Sequence, residues 1–267
     1  MISQNRLRAS ARENKVTVGL MEKDYVNSWI LYAIYNSPLK NQLSFKGGTA
    51  LSKIYFPKIW RFSEDLDLTA NKKMSEEWFV NEFESALSNA SKKSGIDFDI
   101  RSTHFQSGYA QIKVQYKAVL KRRNTTKIDI TQDEVLTYGL EERTHSSEDV
   151  PEFNIIVYSL DEIIVEKVRS LFERKRARDF FDVYKILEMG DVEDLEKFVK
   201  NLRKKMRHKD MDLVLDLSES KVEDIKTYWN TDLDRFVSTA EKPEFSKALR
   251  KVKTFLEEIK SLEKDMA

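Results

Sequence analysis

Cysteine is absent from all 267 residues. That excludes disulfides, thiolate-held zinc and cysteine nucleophiles, and it makes a reducing, cytoplasmic location the expectation. Glycine and proline are scarce, at seven and four, and neither they nor any repeat or low-complexity stretch marks a flexible linker. The three histidines, His104, His145 and His208, are too far apart in the sequence to suggest a histidine metal centre. The longest apolar run, "WILYAIY", is far short of the roughly 20 residues of a membrane span, and "MISQNRLRAS" lacks a signal-peptide core, so no membrane association is expected. Charge of one sign is missing too: 46 basic and 45 acidic residues leave +1, so a nucleic-acid footprint must come from local clusters.

What is present is a 40% hydrophobic chain, enough to bury one large core or two smaller ones. "EKDYVNSWILYAIY" spaces Tyr25, Trp29, Tyr32 and Ala33 as a helix would, and Pro38 disfavours its continuation beyond Asn36. Ser75 is placed to cap a second helix that buries Phe79, Phe83, Leu87 and Ala90 and ends near Lys93. The segments "IDFDIRS", "YAQIKVQYKAVL", "TKIDIT" and "FNIIVY" then read as strands of one mixed sheet, with "KRRNTT" as a polar turn. Ser159 and Glu162 form a capping-box pattern, and beyond them the chain is helical, closing on "FSKALRKVKTFLEEIKSLEKD". The expected class is α+β: a mixed-sheet domain over residues 1–158, then an all-helical domain over 159–267.

Within "FKGGTALSKIYFPKIWRFSEDLDLT", strand periodicity puts Asp65 and Asp67 on one face and Leu66 and Leu68 on the other. Paired carboxylates repel unless a cation neutralises them, and such hard oxygen donors suit Mg²⁺ carrying a nucleotide's phosphates. A solvated edge strand would show the same alternation. Gly47 and Gly48 permit close backbone approach just before a helix start, which makes an anion cradle. "KIDIT" repeats the alternation and offers Asp129 as a third carboxylate.

At about 100° per residue, Lys167 falls inside the apolar stripe Leu160, Ile163, Ile164, Val168 and Leu171. Such a lysine either snorkels or aims its ammonium at triphosphate oxygens. Asp182 could share its site only if the helix breaks within "ERKRAR", since on one helix the two would lie about 22 Å apart. In the second helix Phe180, Phe181, Tyr184 and Leu187 take the apolar side, leaving Arg178, Asp182 and Lys185 on the polar side.

Taken in order, "EKDYVNSWIL", "FKGGTAL", "RFSEDLDL", "EKVRSL" and "RDFFDVYKIL" resemble the AbiEii family of nucleotidyltransferase-like toxins. That family is related to the MenT toxins within the DNA polymerase β-type nucleotidyltransferase superfamily. The resemblance implies a nucleotidyltransferase domain, a helical domain and an active site in the cleft between them. It implies the toxin of a toxin-antitoxin or phage-defence (abortive-infection) system, with a winged-helix antitoxin. The implied reaction is Mg²⁺-dependent transfer of nucleotides from NTP to RNA, notably the 3′ end of tRNA, at a site able to hold two metal ions. Asp65 and Asp67 match the metal-binding pair, and Asp129 would stand for the superfamily's third carboxylate, as metal ligand or base. Gly47, Gly48 and Thr49 match the phosphate-binding motif, Ser63 the hydroxyl position before the first aspartate, and Lys167 and Asp182 the later catalytic motifs, with Arg178 and Asp179 alongside. "KAVLKRRNTTK" and "ERKRAR" are candidate RNA contacts. The rival expectations are a protein or small-molecule acceptor, and a non-catalytic binding module of the same fold.

Overall fold

A computed structural model of the protein describes residues 1–57, 60–72, 75–190, 192–237 and 242–265. The chain divides into two compact units, residues 1–134 with 140–158, and residues 135–139 with 159–267.

The first unit is built on a seven-stranded mixed sheet. Its strands are β1 (Leu43–Lys46), β2 (Leu66–Ala70), β3 (Asp97–Gln106), β4 (Tyr109–Lys117), β5 (Arg123–Thr131), β6 (Leu140–Ser147) and β7 (Val150–Tyr158). They lie in the order β3-β4-β5-β2-β1-β7-β6, with β1–β7 and β2–β5 parallel and the other pairs antiparallel. Helix α1 (Gln4–Glu13) packs on α2 (Val18–Tyr35), which contacts β7 and α4 (Glu76–Ser94); α4 in turn contacts β3. Ser75 caps α4 by accepting from the Trp78 amide at 3.3 Å, and Gly95, at φ 74°, ends it in the left-handed region that favours glycine. Alternation then sorts the sheet: Leu66, Leu68, Ile112, Val114, Ile128 and Ile130 are buried, while Lys113, Lys117, Arg123 and Lys127 are exposed.

One expectation needs correcting here, and one strand was not anticipated. Residues Arg123–Thr126 of "KRRNTT" are not a turn but the start of β5, and the turn lies before it at Ala118–Lys121, where Lys121 N donates to Ala118 O at 3.1 Å. Strand β6 has no sequence signature because seven of its eight residues carry no apolar alternation and only His145 is buried. His145 stacks on Phe153 with ring centroids 4.8 Å apart. Burial, helped by the nearby Lys53 cation, pushes its pKa down from 6.5 to about 3. Because the folded chain resists the proton that the unfolded chain takes up, the stability contributed by neutral His145 is complete above about pH 6.5. It is lost progressively as the pH falls toward 3. Going from pH 7 to pH 5 should therefore cost up to about 2 kcal/mol that a His145→Phe variant does not lose, measurable as urea midpoints at the two pH values.

The second unit consists of α5 (Leu160–Glu173), α6 (Ala177–Met189), α7 (Leu195–His208), α8 (Glu219–Leu233) and α9 (Phe245–Asp265), together with residues 135–139. Trp229 of α8 meets Phe245 of α9 edge-on at 5.3 Å and Phe180 of α6 at 6.1 Å, which joins three helices around aromatic faces. The expected capping box is only half made. Ser159 Oγ accepts from the Glu162 amide at 3.3 Å, but the Ser159 N–H donates to Gly139 O. The buried Glu162 carboxylate instead accepts from Thr137 N at 2.8 Å and Gly139 N at 3.3 Å, and from Tyr138 N, while ion-pairing with the buried Lys205 at 2.6 Å.

Candidate active site

Register assembles the first group. Lys46 of β1 stands opposite Asp67 of β2, Asp67 opposite Asp129 of β5, and Asp129 opposite Gln111 of β4. The four residues form one continuous row across four strands. Period-two alternation along β2 and β5 sends these carboxylates away from the buried Leu66, Leu68, Ile128 and Ile130.

Glycine at position 47 is a geometric requirement of that row. Its φ is 77°, and a Cβ there would come within 2.9 Å of Asp67 Cβ, so a side chain would force Asp67 out of place. At Gly48 a Cβ would meet Arg61 Nη2 at 2.8 Å. The helix starting at Gly47, α3 (Gly47–Ala50), passes at once into a π turn over Leu51–Tyr55. Thr49 is fully buried, and its hydroxyl donates to the carbonyl of Asp65 at 2.6 Å. It therefore shapes the Asp65 backbone from within. Ser63, two residues before Asp65, is also buried.

The carboxylates differ in their support. Burial raises the Asp65 pKa above the ordinary aspartate value; Lys127 and Lys23 pull it down, while Asp129 and Glu64 push it further up. Asp129 Oδ1 accepts from Gln111 Nε2 at 2.8 Å and from the Tyr109 hydroxyl. Burial first, and then Asp129 itself, pushes the Tyr109 pKa up to about 12, so the phenol stays protonated and keeps donating. No cluster of three histidine or carboxylate residues poised as a complete cation cage occurs among the described residues. A partly desolvated Asp65, next to Asp67 and within electrostatic range of Asp129, is still an oxygen-rich, anionic donor set. It fits a divalent cation that shares its remaining coordination positions with phosphate oxygens and water.

A residue that sequence reasoning missed holds this corner. Asn27 of α2 is fully buried, and its Nδ2 donates to the carbonyl of Glu64 at 2.9 Å. Its Oδ1 accepts from Thr126 Oγ1 at 2.9 Å, and that same hydroxyl lies 3.1 Å from the Glu64 carbonyl. One amide thus ties α2 and β5 to the residue before Asp65. The available signal was an asparagine on a buried face, which must be hydrogen-bonded to be tolerated.

The other expected residues lie in the second unit. The chain does break within "ERKRAR": α5 ends at Glu173, Arg174 is extended at φ −142°, and α6 starts at Ala177. That reversal brings Lys167 Nζ to 2.9 Å from Asp182 Oδ2 and 3.0 Å from Asp179 Oδ1. Arg174 Nε reaches Asp179 Oδ2 at 2.6 Å. Asp182 is therefore not on a polar helix face, as its position on the helical wheel suggested, but is fully buried against the inward lysine. Burial opposes ionisation of Asp179, yet the Lys167 and Arg174 cations overcome it and hold the carboxyl well below the usual range. Arg178 points elsewhere, with Nε 3.3 Å from Asp232 and its guanidinium 4.9 Å from the Phe236 ring centroid.

A family model described as nucleotidyl transferase AbiEii toxin, type IV toxin-antitoxin system, matches residues 29–251. Among solved structures, the chain is similar to MenT4, nucleotidyltransferase toxin Rv2826c from Mycobacterium tuberculosis H37Rv. The TM-score is 0.65 at 16% identity, covering 96% of this chain and 89% of that one. No match was found among the curated proteins.

Proposed function

The chain belongs to the AbiEii family of nucleotidyltransferase toxins, and from that premise we propose that it transfers nucleotides from NTP to the 3′ end of RNA, in particular tRNA, and so blocks translation. The family assignment makes it a nucleotidyltransferase with an NTP substrate and an antitoxin partner; the acceptor and its consequence are our reading. The observation that carries it is the row Asp67–Asp129–Gln111, with Gly47 packed against its first member.

A divalent cation such as Mg²⁺, held by Asp65 and Asp67, would supply charge neutralisation for the triphosphate. The turn at Gly47–Thr49 faces those phosphates with backbone amides, held in place by the bond from Thr49 to the Asp65 carbonyl. Asp129 has Oδ1 committed to Gln111 and Tyr109, which orients the carboxylate for the proton of the attacking RNA hydroxyl. The new bond forms between that oxygen and the α-phosphorus, and pyrophosphate leaves. Lys167 matches the family motif whose cation would serve the triphosphate, and Asp182 and Asp179 hold its ammonium. Cognate control by a winged-helix antitoxin completes the proposal.

Purified protein incubated with total RNA, Mg²⁺ and each labelled NTP in turn tests it. Label in a tRNA-sized RNA band, lost on chelation of the metal, is the expected result. Label confined to protein or to a small molecule would replace the RNA acceptor, and no transfer to any acceptor would overturn the reading.

A further inference from the structure

The row of site residues continues onto a basic face. On β5, Lys127 and Arg123 lie two and six positions before Asp129; on β4, Lys113 lies two positions after Gln111. Period two therefore points all of them the same way as the Asp129 carboxylate. Register places Lys113 directly opposite Lys127, and Lys117 directly opposite Arg123. Like charges facing each other across a ladder destabilise a sheet, and here two such pairs stand on one face of one strand pair. All four side chains are exposed. Asp97 stands opposite Lys117 and Asp99 opposite Gln115, at the end of β4 remote from Asp129, so the Lys113–Lys127 pair nearest the site has no acidic neighbour across the adjoining β3 position, which is Ser102. Lys127 is also close enough to act on Asp65. The underside of the same strands is apolar and buried through Ile112, Val114, Ile128 and Ile130, so the face cannot turn over to hide its charge.

We propose that the exposed face of β4 and β5 is an RNA track, on which Lys113 and Lys127, followed by Lys117 and Arg123, bind successive backbone phosphates of the acceptor strand as its 3′ end reaches Asp129. A polyanion turns two unfavourable cross-strand pairs into phosphate clamps. The track runs about 20 Å along β5 from Asp129 to Arg123, at roughly 3.4 Å per residue. Phosphate contacts of this kind position a strand without reading its sequence. The face therefore suits acceptors chosen by the shape and availability of a 3′ end. This inference rests on the RNA acceptor proposed above and adds the surface that receives it.

The test compares wild-type protein with Lys113→Gln/Arg123→Gln, which spares Lys127 because of its influence on Asp65, and with Lys200→Gln/Lys204→Gln as a control that removes equal charge from exposed positions of α7. Affinity for unfractionated tRNA is measured across a salt series, alongside the KM for tRNA and the affinity for NTP. For the β4–β5 variant, RNA affinity should fall about tenfold or more at low salt. The slope of log affinity against log salt should shrink by about 2, one unit per lost phosphate contact. NTP affinity and the urea midpoint should hold at wild-type values, which separates a lost track from a damaged fold. Unchanged RNA affinity and slope, or an equal loss in the α7 control, would overturn the track while leaving RNA labelling by the wild type intact. Absence of RNA binding and labelling by the wild type would instead remove the RNA acceptor itself, and the track with it.

Discussion

Asp67→Asn should reduce nucleotidyl transfer about a thousandfold, roughly 4 kcal/mol of transition-state stabilisation, while the protein remains folded. The asparagine keeps the shape that Gly47 packs against and removes only the charge. In the register Asp67 stands between Lys46 and Asp129, one opposite and one like charge, so stability should stay close to wild type. Single-turnover transfer from labelled NTP, paired with a urea melt, checks both halves. Transfer within tenfold of wild type would rule out Asp67 as a group that touches the metal or the nucleotide. Growth arrest on expression should vanish in step with transfer, since the protein is a toxin by family.

Lys167→Met should damage a different property as well. Lys167 is 6% exposed and its two carboxylate partners are 0% and 4% exposed, so the change takes the lysine cation away from both buried carboxylates at once, with Arg174 still paired to Asp179. Breaking a buried pair by deleting one partner costs about 3–5 kcal/mol. Adding Asp182→Asn should recover a substantial part of that stability, because an amide tolerates the same cavity without a charge, yet transfer should stay lost. A purely structural lysine would predict that activity returns together with stability. Acid should narrow the gap between wild type and Lys167→Met. With its carboxyl held below the usual range, Asp179 contributes stability above the unfolded-state pKa and gives it up as the pH falls through the lower folded value.

Much of this arrangement was legible in local pattern. Alternation alone put Asp65 and Asp67 opposite Leu66 and Leu68, and a helical count put Lys167 inward. Those signals are local, and the structure keeps them. What could not be read is long-range pairing. Nothing near Asp129 says that parallel pairing of β5 with β2 will set it beside Asp67. Asp182 looked polar because its partner approaches from the preceding helix, across a break with no glycine or proline. Edge strand β6 stayed invisible because one buried histidine makes no periodicity. Asn27 was hidden by the same limitation, since its two partners lie 37 and 99 residues away.

The Glu162 carboxylate gathers amides from residues 137–139, which the chain threads into the second unit before returning to make β6 and β7. Dissection of the gene must respect that detour. A single cut after Tyr158 would yield a helical fragment whose buried Glu162 and Lys205 pair had lost its backbone donors, and a sheet fragment trailing an orphaned five-residue excursion. The two units are thus interlaced along the polypeptide: five residues of the helical one are encoded ahead of the last two strands of the sheet.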